Sequence, residues 1–189
     1  MSKSDVICFA ETRLHPNDKD LDYAIEGFKP IIRNDQETCG QRPPHGLAVY
    51  LKDCFKVDSL NFFSESKVES ITLEIVDGRN DECYTILIVY KSPSCSLNDF
   101  QTCRNAVKVI SSHKLIIMGD FNFDISSNRN RGFVDSMKTF FPHAKLQNTL
   151  PTTHGNTKLD LCLTTCENAS ARIIACVWSY HHTLIGSFL

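Results

Sequence analysis

The segment Leu115-Ile-Ile-Met-Gly-Asp-Phe-Asn122 runs an apolar stretch into Gly119, then into a carboxylate and an amide two residues apart. If the chain stays extended there, the period of two points Asp120 and Asn122 to the same side. A carboxylate and an amide together at a strand end can hold a water molecule and a phosphate oxygen. The same residue types also build Asx turns for purely local reasons. Val6-Ile-Cys-Phe-Ala-Glu11 has a similar form, an apolar stretch closed by an acid. A carboxylate in that position suits a hard cation such as Mg²⁺, which is often held by one or two carboxylates plus waters; a solvated strand end explains it equally. Asp160 lies inside the apolar run 159–163. An acid in such a run needs a cation or a hydrogen-bond donor. Trp178-Ser-Tyr-His181-His182 offers one. A carboxylate that accepts from one imidazole nitrogen fixes the tautomer and leaves the other nitrogen to carry a proton. Tyr90, beside Lys91 at the end of another apolar run, adds a phenol that can meet a phosphate; a core aromatic with a wet tip has the same appearance.

These groups need strands to carry them. Apolar stretches of strand length recur at 6–10, 29–32, 47–51, 71–76, 84–90, 115–118, 159–163, 173–178 and 183–188. Most are rich in Val, Ile, Phe and Tyr and are bounded by polar, Gly or Pro residues. Several are apolar at successive positions, as strands covered on both faces must be. Two segments have helical spacing instead. In 96–112, Phe100, Cys103, Val107 and Ile110 recur at three and four, and Ser96 with Asp99 forms a partial capping box. In 130–141, Phe133, Val134, Met137 and Phe141 do the same, and Pro142 stops the helix. Strands outnumber helices without strict alternation, which predicts a mixed α/β sandwich rather than a Rossmann or barrel pattern.

The chain has 189 residues, 42% of them hydrophobic and 22% charged, which predicts one ordered domain over 1–189. Twenty Lys and Arg against 22 Asp and Glu give a formal charge of −2, so a broadly basic nucleic-acid coat is excluded. Arg42, Lys52, Lys91, Arg129, Arg131 and Lys158 remain as local candidates for phosphate contact. Nine cysteines occur without a CxxC pair and read as free thiols of a reducing, intracellular compartment, nuclear or cytoplasmic. No apolar run approaches the roughly 18 residues of a membrane span, and the N-terminus lacks the apolar region of a secretory signal.

The ordered series ET at 11–12, HGLAVYLK at 45–52, VYKSPS at 89–94, IIMGDFNFD at 116–124, PTTHGNTKLDL at 151–161 and SYHH at 179–182 resembles the endonuclease/exonuclease/phosphatase superfamily. It looks most like the apurinic-endonuclease-like nuclease domain of LINE-type (non-LTR) retrotransposons, over roughly the whole chain. The resemblance implies a four-layer α/β sandwich, two mixed sheets face to face with helices outside. It implies a divalent metal, Mg²⁺ with Mn²⁺ as a substitute, and hydrolysis of a phosphodiester in DNA. By matching motif, Glu11 resembles the metal-binding glutamate and Asp120 the aspartate that positions the attacking water. Asn122 resembles the phosphate-contacting asparagine, Tyr90 the tyrosine at the scissile phosphate, His181 the histidine and Asp160 its partner. The implied setting is a monomeric, non-membrane domain fused to or associated with a reverse transcriptase. A phosphatase or phospholipase on the same fold, or a copy that binds nucleic acid or phosphate without hydrolysis, is the other expectation. The chain departs from the family pattern in two places. It is expected to lack the family's first strand, and Tyr180 stands where the Ser-Asp-His motif has its aspartate.

Overall fold

The computed structural model describes residues 5–34, 45–65, 67–102, 114–174 and 179–187. Six strands form the larger sheet, in the order β4 (Phe55–Glu65), β5 (Val68–Asp77), β6 (Glu82–Lys91), β7 (Leu115–Asp120), β9 (Asp160–Thr164) and β8 (Lys145–Leu146). All neighbours are antiparallel except β6 and β7, which run parallel. A parallel pair needs a crossover rather than a tight turn. That crossover carries α1 (Leu97–Thr102).

The near-continuous apolar runs of β5, β6 and β7 follow from burial on both faces. Leu87, Val89, Ile117 and Leu161 face one way, where Phe100 of α1 covers them together with Met137 of α2 (Arg131–Phe140). Ile71, Leu73, Ile86, Ile88 and Ile116 face the other way, against Leu47, Val49 and Leu51 of β3 (Leu47–Leu51). In the smaller antiparallel sheet β3 lies between β1 (Val6–Ala10) and β2 (Ile32–Asn34), so β1 stands at its edge. The far face of this sheet, Ala48 and Tyr50, is covered by Leu14 and Ile31. β10 (Ser170–Ile174) and β11 (Thr183–Ser187) form a separate antiparallel ribbon.

The fold is thus α/β with two sheets face to face. Among the described residues, α-helices cover only the larger sheet. Among the described residues, the outer layer on the smaller one is a loop with a 3₁₀ turn at Asp20–Tyr23, and the strands of that sheet pair antiparallel rather than mixed. The expected strand at 29–32 forms later, as β2, and the one at 173–178 begins earlier, as β10; residues 175–178 lie outside the described residues. β4 had no counterpart among the expected strands. A register shift between Val57 and Ser59 inserts an extra residue, so its apolar positions do not keep the period of two. The capping box is present: the Asp99 amide donates to Ser96 Oγ at 3.1 Å, and the Ser96 amide to Asp99 Oδ2 at 3.3 Å. The remainder of that expected helix, with Cys103, Val107 and Ile110, lies outside the described residues. Every described cysteine is a free thiol. No helix among the described residues is long and apolar enough to cross a membrane.

Candidate active site

Strand register puts the chemistry in one row. Glu69 of β5 pairs with Tyr90 of β6, Tyr90 with Asp120 of β7, and Asp120 with Asp160 of β9. Paired residues on adjacent strands project from the same face. Here that face looks toward the smaller sheet, since Tyr90 belongs to the core between the sheets. Gly119 is the residue that lets β7 run so close to β6. A Cβ there would collide with the Val89 carbonyl oxygen.

Glu11 reaches the row from the other sheet. Val6, Cys8 and Ala10 pack toward the inter-sheet core, so strict alternation would turn the next side chain away. The alternation breaks at Glu11, whose φ is 54°. Its carboxylate then accepts a hydrogen bond from the Tyr90 hydroxyl at 2.7 Å. Burial, followed by the neighbouring Glu11 charge, pushes the Tyr90 phenol far above its ordinary range, so Tyr90 is a donor at neutral pH.

At the end of β7 the chain does not stay extended. Asn122 has φ 48°, and its backbone amide donates to Asp120 Oδ1 at 2.9 Å. Its side-chain amide donates to Asp120 Oδ2 at 3.0 Å. The Asx turn and the shared location therefore coexist: the turn brings the amide onto the carboxylate, where the period-of-two expectation had only set them side by side. Asp120 is 5% exposed. Burial, then the Asp160 charge, pushes its carboxyl up to about 7.

His181 arrives from the segment before β11. Thr153 forms a bridge with His181, the His182 amide donates to the Thr152 carbonyl at 2.7 Å, and the His154 amide donates to the Tyr180 carbonyl at 3.1 Å. These bonds tie the 151–158 loop to the 179–182 segment. His181 Nδ1 then lies 2.8 Å from Asp160 Oδ2, and Nε2 lies 3.9 Å from Asp120 Oδ2. The hydrogen bond to Asp160 raises the imidazole above its ordinary 6.5. The longer separation is not a hydrogen bond; it has the size of a gap that a water or a substrate oxygen bridges.

All six residues singled out by sequence therefore meet at one end of the sheets. Lys91 does not. Strand alternation sends it to the helical face, where it is 1% exposed, donates to the Ser92 carbonyl at 3.1 Å and stands 4.7 Å from the centre of the Phe133 ring. The expected phosphate contact from Lys91 is thereby corrected. Lys52 is held by Asp5 at 2.9 Å. Arg129, Arg131 and Lys158 are placed on the surface or partly covered, and Arg42 lies outside the described residues. Tyr180 is 55% exposed at the rim, its ring edge-on to His181 with centroids 5.6 Å apart.

Three further residues escaped sequence reasoning. Thr152 is fully buried, and its Oγ1 accepts from the Leu159 and Asp160 amides at 3.1 and 3.0 Å. Asn148 donates to the Asp160 carbonyl at 3.0 Å and accepts from the Cys162 amide at 2.8 Å. Glu69 completes the row. The only signal for it was an acid adjoining an apolar run, which becomes informative once register pairs it with Tyr90. Removal of the Thr152 hydroxyl leaves two amides without an acceptor, at a cost of about 1–3 kcal/mol for a buried donor. Thr152→Val is accordingly expected to lower the midpoint of chemical denaturation and to loosen the Asp160–His181 pair, visible as a downward shift of the His181 pKa by NMR.

Asp120, Asp160 and His181 each offer a ligand atom, and these atoms all lie within 4.8 Å of one another. The nearby thiol of Cys162 is no competitor, because burial pushes it up to about 12 and keeps it protonated. The oxygen-rich donor set suits a hard divalent cation. Burial, then the Asp160 charge and to a smaller extent that of Glu11, holds the Asp120 carboxyl toward its neutral form, and a bound cation would offset those charges.

Among curated proteins, no sequence matches this chain. Solved structures do share its fold. The human Nocturnin catalytic domain with bound sulfate aligns with TM-score 0.65 at 14% identity, over 98% of this chain and 81% of that one. A mannosyl-6-phosphatase from Bacteroides thetaiotaomicron aligns with TM-score 0.63 at 15% identity, over 98% and 85%. TDP2 from Caenorhabditis elegans aligns with TM-score 0.67 at 12% identity, over 97% of this chain and 64% of that one. The family model described as Endonuclease/Exonuclease/phosphatase matches residues 1–166, and with that match over most of its length this chain belongs to the endonuclease/exonuclease/phosphatase family.

Proposed function

We propose that this chain is a divalent-metal-dependent phosphodiesterase, and within that class a DNA-nicking endonuclease domain of the LINE-type retrotransposon kind, working with Mg²⁺ or Mn²⁺. The observation that carries the reading is the row Tyr90–Asp120–Asp160 with His181 bonded to its end and Glu11 bonded to its start. Glu11 and the adjoining carboxylates would hold the cation, which when bound supplies positive charge to the phosphoryl oxygens and the leaving group.

The residues themselves divide the remaining work. Asp120 faces the gap before His181 Nε2 and is placed to orient a water and accept its proton. Asp160 holds the imidazole by Nδ1 and favours its protonated form, so Nε2 donates to the substrate where charge accumulates. Asn122 locks the Asp120 carboxylate by two hydrogen bonds, and its side-chain amide borders the same gap. Tyr90 keeps Glu11 in place through its hydroxyl.

Relaxation of supercoiled plasmid in the presence of Mg²⁺ tests this reading, with hydrolysis of a sugar 6-phosphate measured beside it. Nicking that Asp120→Ala abolishes and EDTA stops supports the endonuclease. Release of inorganic phosphate without nicking instead favours a phosphatase, a reading that the mannosyl-6-phosphatase of the same fold keeps in view. Tyr180→Asp is expected to raise the nicking rate, because a carboxylate there favours the protonated form of His181 and adds negative charge beside the cation. An unchanged or lower rate would mean that the phenol is no handicap.

A further inference from the structure

We propose that Glu69 is a positioning residue: it anchors the 45–46 segment that holds Glu11 in its left-handed conformation, and so sets how tightly the Glu11 end of the site binds a divalent cation. The inference rests on the reading of Glu11 as a cation ligand. Glu69 is 1% exposed and lies directly opposite Tyr90 in the sheet. A carboxylate so deeply placed requires hydrogen-bond partners. One is the Gly46 amide, which donates to Glu69 Oε2 at 3.2 Å.

Residues 45–46 pass this anchor on to the Glu11 segment. The Thr12 amide donates to the Gly46 carbonyl at 3.2 Å, and the Arg13 amide donates to the His45 carbonyl at 2.8 Å. Glu11 and Arg13, on either side of Thr12, have φ of 54° and 53°. Residues with side chains disfavour that region and persist there only when the surroundings hold them. Gly46 itself has φ +113°, and a Cβ on it would lie 2.5 Å from Thr12 Oγ1, so the two segments touch with no side chain between them. The His45 ring rests on Tyr90, with centroids 5.1 Å apart and planes at 36°. Thr12 Oγ1 and His45 Nδ1 are both buried in this joint without a hydrogen-bond partner, so neither atom adds a hydrogen bond to hold it. The hydrogen bonds of the joint are those of the backbone and the Glu69 anchor. Glu11 is thus set from two directions, its carboxylate by Tyr90 and its backbone by Glu69 through Gly46.

The test is Mn²⁺ binding to the full chain without substrate, by paramagnetic resonance titration, at a temperature where circular dichroism shows each variant folded. Glu69→Gln keeps an oxygen for the Gly46 amide and is expected to bind Mn²⁺ within about twofold of the unmodified chain. Glu69→Leu removes the acceptor, and Glu69→Asp keeps the charge but withdraws the oxygen by one methylene. Both are expected to weaken binding about 10-fold or more, the range for residues that orient a ligand from behind. Should Glu69→Leu not fold, Glu69→Asp carries the test alone. Binding unchanged by the Leu and Asp substitutions would overturn the proposal while leaving the Glu11 reading intact. Binding lost equally in Glu69→Gln would overturn it by showing that the charge, not the anchor, matters. No Mn²⁺ binding by the unmodified chain would overturn the reading of Glu11 itself.

Discussion

His181→Ala is expected to slow phosphodiester cleavage by about 10²- to 10⁴-fold, the usual worth of a positioned acid–base group. Asp160→Asn should cost most of the same factor, because it removes the carboxylate that accepts from Nδ1 at 2.8 Å and raises the imidazole. The double variant is the informative measurement. Residues that act as one unit are strongly non-additive, so His181→Ala with Asp160→Asn should be scarcely slower than His181→Ala alone. Additive losses would show that Asp160 acts on the substrate or the cation independently of the histidine. The pH profile separates the same possibilities. In the unmodified chain the acidic form of His181 persists above 6.5, and in Asp160→Asn the corresponding limb of the profile should move to lower pH.

The second large effect is on stability, and its sign follows from proton linkage. Burial, with the Asp160 charge beside it, raises the Asp120 carboxyl from 3.8 to about 7 in the folded chain. A carboxyl that holds its proton more tightly when folded favours folding at low pH. That contribution is lost as pH climbs from the unfolded value toward the folded one. Glu69, raised by burial from 4.5 to about 7, acts in the same direction. His181, raised above 6.5, stabilises fully below that value and less as pH rises through its folded value. All three therefore predict that the metal-free protein melts at a lower temperature at about pH 7.5 than at about pH 5. Mg²⁺ should restore the difference, since a ligand that binds only the folded chain stabilises it. Asp120→Asn removes the buried charge, and should raise the midpoint at neutral pH by about 3 °C or more, on the scale where 1 kcal/mol moves a domain of this size by roughly 2–4 °C. The same variant should lose cleavage and most of its response to Mg²⁺. A midpoint in Asp120→Asn that is unchanged at neutral pH would show that Asp120 carries no such strain.

Much of this was legible in the residues themselves. The runs at 6–10, 47–51, 84–90 and 115–118 became β1, β3, β6 and β7 with small changes at their ends, because Val, Ile and Leu repeated on both faces can be satisfied only between two covering layers. The acid inside 159–163 pointed to a partner, and the partner is the histidine expected for it. Where local pattern and tertiary packing compete, the pattern fails. β4 carries a bulge and lies at an edge, so neither period nor hydrophobicity marks it. Lys91 adjoins Tyr90 in the chain yet faces the opposite side of the sheet.

Residue types and their order determined which groups are present and which elements carry them: strand ends closed by Glu11, Tyr90 and Asp120, and a histidine pair after the last helix. Only the tertiary structure decided that these ends coincide. Register between strands far apart in the chain is a property of pairing, and it is pairing that sets Glu69, Tyr90, Asp120 and Asp160 in one line. The left-handed backbone at Glu11 and Asn122 was likewise invisible, since neither residue type requires it. At Glu11 a contact across the two sheets holds it, where the side chain had to turn toward Tyr90 against the alternation of its own strand; at Asn122 the local turn onto Asp120 does.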